Sequence, residues 1–282
     1  NRTVRKITPA GLVSTLAGTA GIDGSTDGKG PLARFSDPFG TAVDSAGNVW
    51  VTDGVNATIR RITAAGVTTT LAGVAGMHST VDGVGATARL NTPYGIALDA
   101  AGNAYVTDIG AHVLRQLAAD GTLTTLAGTA GVSGHADGPG LAASFSEPVG
   151  VAVGGDGTIY VADFGNHTIR KVTPAGVVTT IAGSAGTPGS ADGAGAEARF
   201  DNPVGVAVDA RNNLYVLDLG NTVVRKITPA GVTTTIAGTP GVRGLTLGGS
   251  PQFALPQAIA LSGDSLIITD ANAVLILRHA AQ

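Results

Sequence analysis

The chain has 282 residues, with 17 basic against 20 acidic side chains and no cysteine. The absence of cysteine excludes disulfide bonds, thiol catalysis and zinc–thiolate sites. A formal charge of −3 gives no general attraction to polyanions, so the composition argues against a nucleic-acid partner. No run approaches the ~20 apolar residues needed to cross a bilayer, and no membrane span is predicted.

A tripeptide of Leu or Ile followed by Ala-Gly recurs through the chain with a period of 55 residues. It occupies residues 16–18, 71–73, 126–128, 181–183 and 236–238. A fixed period of this length is typical of stacked supersecondary units. One unit repeated throughout predicts a single domain over residues 1–282.

In chain order, the predicted strands begin with residues 3–8 and 12–16. Four repeats then add four strands each, and the last repeat adds three, because it has no outer strand of its own. Inner strands begin near Phe39, Tyr94, Val149, Val204 and Gln257, and second strands end at Asp53, Asp108, Asp163, Asp218 and Asp270. Third and outer strands follow, as in the clearest copy at residues 203–238. These runs are rich in β-branched residues and separated by Gly, Asn and Pro, and no sustained helical period occurs.

Four short antiparallel strands per repeat are typical of a β-propeller blade. The predicted fold class is therefore all-β, a β-propeller of four-stranded antiparallel blades with five sequence repeats of about 55 residues. Trp50, Tyr105, Tyr160 and Tyr215 share one position of the repeat, which predicts packing between blades.

The segment from Tyr160 to Lys171 resembles the signature of the NHL-repeat family, including the Asn166-His167 pair and a hydrophobic residue before Arg170. Related segments lie at residues 50–61, 105–116 and 215–226. The resemblance covers nearly the whole chain, and its motifs keep the same position within each repeat. The resemblance implies a propeller. It leaves the activity open, because the family includes protein-binding, RNA-binding and enzymatic members.

The strand count leaves one strand over, because residues 3–8 and 273–278 both read as third strands. In one alternative, the N-terminal strands near residues 3–17 close a five-bladed ring beside residues 256–279, which would hide the sheet edges. In the other, the chain is part of a six-bladed ring with an incomplete blade. The sequence leaves both open.

An Asp is followed seven residues later by an Arg in four repeats. The pairs are Asp53 and Arg60, Asp108 and Arg115, Asp163 and Arg170, and Asp218 and Arg225. Recurrence in every blade favours a structural ion pair or turn that fixes the hairpin register. In the last repeat eight residues separate Asp270 from Arg278, which predicts a longer or bulged hairpin.

An Asp-Gly pair recurs in the long loops between blades, where it predicts a turn. Asp82 and Asp137 in these loops are weak candidates for a calcium site, since calcium prefers oxygen ligands. One Asp per loop falls short of the usual ligand set, so no cofactor is expected.

Departures from the repeat are the candidates for ligand binding. Phe39 and Tyr94 place neighbouring aromatic side chains at the head of two inner strands, and His78 and His135 lie in the loops between blades. No catalytic residue is predicted, because no nucleophile motif or metal-binding histidine spacing occurs.

The leading functional hypothesis is a non-catalytic binding or scaffold propeller that holds a protein, peptide or glycan at its loop rim or central channel mouth. The alternative is a metal-dependent lyase or lactone hydrolase with its site in the central channel. Richness in Thr, Ala and Gly without Cys favours a secreted bacterial protein, in an extracellular or periplasmic location.

Overall fold

The computed structural model describes residues 1–278. Over these residues the fold is all-β, with 25 short strands, six 3-10 helices of three residues each and no α-helix. None of the helices in residues 1–278 is long and apolar enough to cross a membrane. The predicted absence of longer helices is confirmed for this part of the chain.

The chain divides into two compact units, Asn1–Thr125 and the part from Leu126 onward. The single domain predicted over residues 1–282 stays a prediction. Each unit is built from the same antiparallel sheet, and the units are described separately below.

The first unit contains a two-stranded ribbon and two complete sheets. The N-terminal ribbon consists of β1 (Thr3–Ile7) and β2 (Val13–Gly18). Sheet 1 consists of β3 (Gly28–Lys29), β4 (Pro38–Val43), β5 (Val49–Asp53), β6 (Thr58–Ile62) and β7 (Val67–Ala72). Sheet 2 consists of β8 (Gly83–Val84), β9 (Pro93–Leu98), β10 (Ala104–Asp108), β11 (Val113–Leu117) and β12 (Thr122–Ala127).

The second unit contains two more complete sheets and a shorter one. Sheet 3 consists of β13 (Gly138–Pro139), β14 (Pro148–Val153), β15 (Ile159–Asp163), β16 (Thr168–Val172) and β17 (Val177–Gly183). Sheet 4 consists of β18 (Gly193–Ala194), β19 (Pro203–Val208), β20 (Leu214–Asp218), β21 (Val223–Ile227) and β22 (Val232–Ala237). The C-terminal sheet consists of β23 (Pro256–Ser262), β24 (Ser265–Asp270) and β25 (Ala273–Leu277).

Short 3-10 helices occupy loops of both units. They span Gly30–Leu32, Gly85–Thr87, Ile109–Ala111, Gly140–Ala142, Phe164–Asn166 and Gly195–Glu197. Four of them directly follow the two-residue strands β3, β8, β13 and β18. They therefore belong to the long loop that leads to each inner strand.

The complete sheets contain the four predicted strands and one further strand of two residues. In sheet 1, β3 pairs with the outer strand β7 through Gly28 opposite Thr68 and Lys29 opposite Val67. The spatial order is β3-β7-β6-β5-β4, and sheets 2 to 4 repeat it. The four predicted strands of each blade are confirmed, and the structure adds the short fifth strand because the loop before each inner strand runs along the outer strand before turning inward.

Neighbouring sheets within each unit pack through their inner strands. In the first unit β9 packs against β4 and β5, and in the second β19 packs against β14 and β15. The apolar core between sheets 3 and 4 includes Ile169, Phe200 and Val216. These sheets, with faces buried against one another, are the blades of a β-propeller, as the sequence predicts.

The last hairpin contradicts the sequence-based expectation. Asp270 pairs directly with Ala273, so two residues connect β24 and β25, whereas four connect β5 and β6. The tight connection uses Ala271 in a left-handed conformation, with φ of 47°. The hairpin is therefore shorter, not longer or bulged, and Leu275 stands opposite Ile268 where Arg170 stands opposite Val161 in sheet 3.

The N-terminal strands pair with one another. Thr3 lies opposite Gly18 and Arg5 opposite Thr15. This register matches that of β16 and β17, where Thr168 lies opposite Gly183 and Arg170 opposite Thr180. The closure of these strands beside residues 256–279 stays a prediction, as does the choice between five and six blades, and residue 279 lies outside the described residues.

Candidate functional site

The start of each inner strand is held by a buried aspartate at the end of the second strand. Asp53 accepts hydrogen bonds from the backbone N–H groups of Ser36 and Asp37, both at 3.1 Å. These two residues lie directly before β4, so the carboxylate fixes the backbone that carries Phe39. Asp108 does the same before β9, where it accepts from Asn91 and Thr92 and so positions Tyr94.

A fully buried arginine from the third strand of each complete sheet completes this arrangement. In sheet 1, Nη1 of Arg60 donates to Asp53 at 3.2 Å and Nη2 to Asp27 at 2.7 Å. The corresponding N···O distances are 3.9 and 2.8 Å for Arg115 with Asp108 and Asp82, 2.6 and 2.8 Å for Arg170 with Asp163 and Asp137, and 3.0 and 2.7 Å for Arg225 with Asp218 and Asp192. The predicted ion pair within the hairpin is present in all four repeats.

An aromatic residue of the loop before the inner strand packs against this guanidinium in three of the four complete sheets. The Cζ atoms of Arg60, Arg170 and Arg225 lie 5.1, 5.2 and 5.0 Å from the ring centres of Phe35, Phe145 and Phe200. Such stacking adds cation–π attraction to the ion pair. Sheet 2 has Leu90 at this position.

Burial sets the proton affinity of these carboxylates. It raises the pKa of Asp53, Asp108 and Asp163 above the ordinary value, against the opposing effect of their hydrogen bonds and arginines. For Asp218, burial raises the pKa to about 6. Burial removes water from each carboxylate, and the hydrogen bonds that the carboxylate accepts offset the lost hydration. This balance is expected for groups that hold the backbone in place.

The calcium candidates are part of the same network. Asp82 accepts from Arg115 and from the hydroxyl of Thr125, and Asp137 accepts from Arg170 and from the backbone and hydroxyl of Thr180. The Asp-Gly aspartates thus link a loop to an arginine 33 residues later in the chain. Within residues 1–278 no three His, Asp or Glu side chains come together as a metal-ligating group.

The structure brings Phe39 and Tyr94 together. Their rings stack with centroids 4.3 Å apart and an interplanar angle of 22°. The Phe39 ring lies over Gly54, where a Cβ would overlap it. The Phe39 side chain remains 38% exposed. An exposed aromatic ring supported from below offers a flat apolar surface to a ligand.

A carboxylate accompanies this aromatic pair. Asp37 is exposed at the start of β4, one residue after Ser36 and two before Phe39. Burial raises the pKa of Tyr94, and the charge of Asp37 raises it further. The pair therefore combines a stacking surface with a hydrogen-bond acceptor, a combination that suits planar groups and the C–H faces of sugars.

The two candidate histidines lie in different units. His78 is exposed, and its Nδ1 lies 2.5 Å from the backbone oxygen of Asn91, the residue that also donates to Asp108. His135 is exposed in the loop before β13, where its backbone oxygen accepts from Arg170. The first therefore borders the segment before Tyr94, whereas the second belongs to another loop.

Part of the chain is similar in sequence to known NHL-repeat proteins. The family model for the NHL repeat matches residues 145–172. NHL repeat-containing protein 2 from Bos taurus is 31% identical over 147 residues, which is 46% of this chain and 20% of that protein. The chain spans no more than a fifth of the length of the curated relatives it matches.

Solved structures share the fold at low sequence identity. An auxiliary nutrient binding protein from Bacteroides thetaiotaomicron VPI-5482 has a TM-score of 0.68 at 17% identity, over 95% of this chain and 61% of that one. Virginiamycin B lyase from Staphylococcus aureus has a TM-score of 0.59 at 18% identity, over 98% of this chain and 77% of that one. The chain therefore contains a matched NHL repeat at residues 145–172 and resembles NHL-repeat proteins, and its fold is that of a β-propeller.

Proposed function

We propose that this protein is a non-catalytic binding propeller that holds a protein, peptide or glycan ligand at the loop rim formed by the heads of its inner strands. The observation that carries the proposal is the stacked pair of Phe39 and Tyr94, exposed beside Asp37. Scaffold function in an extracellular or periplasmic location remains part of the proposal.

The contrast between this pair and its equivalents supports a ligand site. Val149 and Val204 occupy the same position in sheets 3 and 4 and are almost fully buried. A phenylalanine that stays 38% exposed where other repeats bury a valine leaves apolar ring surface open to solvent, which fits a contact with a partner.

The NHL repeat matched at residues 145–172 agrees with a binding or scaffold role. The solved structures with this fold include both a nutrient binding protein and a lyase. Since folds of this kind carry different activities, the residues of the site must carry the argument. The metal-dependent lyase or lactone hydrolase stays the alternative.

The test is a glycan array and a random-peptide display library probed with the full chain, followed by titration of the best ligand. We expect Phe39→Ala to weaken that ligand by about tenfold or more, since loss of a central aromatic contact costs about 1.4 kcal/mol or more. Val43→Ala is the matched control, because Val43 lies on the same strand and is 64% exposed.

Two results would count against the proposal. One is equal binding by the wild type and Phe39→Ala. The other is turnover of a lactone or streptogramin substrate by a sample that binds no member of either library, which would favour the enzymatic alternative.

A further inference from the structure

In three of the four complete sheets, the aromatic residue of the second strand donates a hydrogen bond to an aspartate, which we call its aspartate cap. Trp50 donates from Nε1 to Asp44 at 3.1 Å. The hydroxyls of Tyr105 and Tyr215 donate to Asp99 and Asp209 at 3.2 and 3.1 Å. In each case the aspartate lies six residues before the aromatic residue.

Sheet 3 lacks this cap. Gly154 stands six residues before Tyr160, where the other sheets have aspartate. The Tyr160 hydroxyl makes no hydrogen bond to any residue in the described range 1–278, although the side chain is only 6% exposed. The hydroxyl oxygen itself is not enclosed, so this phenol keeps hydrogen-bonding capacity that water or a ligand can use.

A cavity lies beside Tyr160. It has a volume of about 290 Å³, and its lining includes Asp156, Tyr160, Lys171 and Asn212, with Ile181 and Leu214 as apolar walls. All of these residues belong to the second unit. The volume is close to the lower end of the range for small-molecule sites, roughly 300–1,000 Å³.

The polar lining is balanced in charge and in hydrogen-bonding capacity. Lys171 only donates, ionised Asp156 only accepts, and Asn212 and Tyr160 can do both. Vicinal hydroxyl groups, each both donor and acceptor, match such a set without adding net charge. Ile181 and Leu214 offer apolar surface for the C–H face of a sugar ring.

We propose that this cavity is a binding site for a neutral saccharide, of the size of one monosaccharide unit, with the Tyr160 hydroxyl as a hydrogen-bonding group at its base. The site is separate from the aromatic pair of the first unit and does not depend on the function proposed there. A side chain at position 154 would approach Asp156 and Asn212, which line the cavity.

The test uses Gly154→Asp, which restores the residue found in the other three sheets. A Cβ at Gly154 would lie 2.9 Å from Oδ1 of Asp156 and 3.2 Å from Oδ1 of Asn212. Both atoms end flexible side chains that can move, so the fold should tolerate the change while the new carboxylate fills the cavity. Gly155→Ala is the matched control, since its Cβ would meet nothing within 4 Å.

The probes are the methyl glycosides of glucose, galactose, mannose and N-acetylglucosamine, with free glycine as a zwitterionic competitor, measured by saturation-transfer NMR and calorimetry. We expect at least one glycoside to bind the wild type, Gly155→Ala and Phe39→Ala equally. Gly154→Asp should bind it at least about tenfold more weakly. Lys171→Met, which leaves the backbone unchanged, should also weaken binding.

The proposal is overturned if no glycoside binds, if Gly154→Asp binds as well as Gly155→Ala, or if glycine displaces the glycoside and binds in its place. Unchanged glycoside binding by Phe39→Ala would show that this cavity is distinct from the proposed rim site. The two proposals are therefore tested by separate results, and failure of one does not decide the other.

Discussion

At the residue scale, one buried aspartate per repeat links the scaffold to the candidate site. Asp53 and Asp108 bind both the arginine of the next strand and the backbone that precedes an inner strand. A carboxylate has enough acceptor positions for both tasks. Removal of such a group would therefore loosen the rim and also leave an arginine buried without its full complement of charge, a loss of about 3–5 kcal/mol in comparable pairs.

We expect Asp218 to titrate near pH 6 in the folded protein, because burial raises its pKa to about 6 from 3.8. Between these values the folded chain keeps a proton that the unfolded chain releases. The contribution of this group to the free energy of unfolding is therefore fully present below the unfolded pKa and is lost as pH rises through about 6. Carbon-detected NMR titration of the Asp218 carboxyl measures the midpoint.

Asp44 provides the comparison within the same titration. Its hydrogen bond from Asn48, the largest contribution, and that from Trp50 lower its pKa to about 2. Midpoints near 3.8 for both groups would contradict the assigned environments.

The sequence predicts the pairing of residues within one hairpin but not the partners that come from distant loops. Asp53 and Arg60 are seven residues apart and face each other across a short turn. Asp27 reaches the same guanidinium across 33 residues, so its Asp-Gly motif suggests only a turn. Likewise, Tyr160 shares a repeat position that predicts packing, and only the spacing to Gly154 signals that its cap is missing.

At the element scale, neighbouring inner strands approach one another closely because those of the four complete sheets each carry a glycine. In the second unit, a Cβ at Gly150 of β14 would overlap the carbonyl oxygen of Val204 in β19. Gly40 of β4 stands in the same relation to Tyr94 of β9 in the first unit. The glycine two residues after the proline that begins each of these strands therefore serves contact between blades, where backbone must meet backbone.

We expect Gly150→Ala to destabilise the protein by about 1–3 kcal/mol, since the added methyl would force two packed strands apart. Chemical denaturation monitored by circular dichroism gives the difference in the free energy of unfolding. Gly249→Ala is the control, because a Cβ there would meet nothing within 4 Å. Equal stability of the two variants would show that the inner strands can separate without loss.

Strand number and strand ends were predictable to different degrees. The four main strands of each repeat are long enough for their β-branched pattern to indicate them. The two-residue strand β3 is too short to carry such a pattern and forms only because its loop lies along β7. The prediction for the final hairpin was wrong because it placed Arg278 at the strand position that arginine holds in the other repeats. In the structure Leu275 holds that position, opposite Ile268.

At the scale of the whole molecule, repetition does not make all sheets equally protected from solvent. In the first unit, Ile62 of β6 is fully buried, whereas Ile7, its equivalent in β1, is 45% exposed. In the second unit, every residue of β15 is buried, whereas Val274 and Ile276 of β25 are 46% and 55% exposed. Strands with few buried apolar contacts open at lower free energy.

We therefore expect hydrogen–deuterium exchange to be slowest in peptides covering residues 49–62 and 159–172, and at least about tenfold faster in residues 3–18 and 265–277. The intact chain is labelled under native conditions, and mass spectrometry of its peptides measures these rates. The same peptides labelled in denaturant give the unprotected reference. Slow exchange in residues 3–7 would contradict the reasoning, because Ile7 and Arg5 are exposed and β1 pairs only with β2 within the described chain. Protection would then require a further strand or partner along that edge.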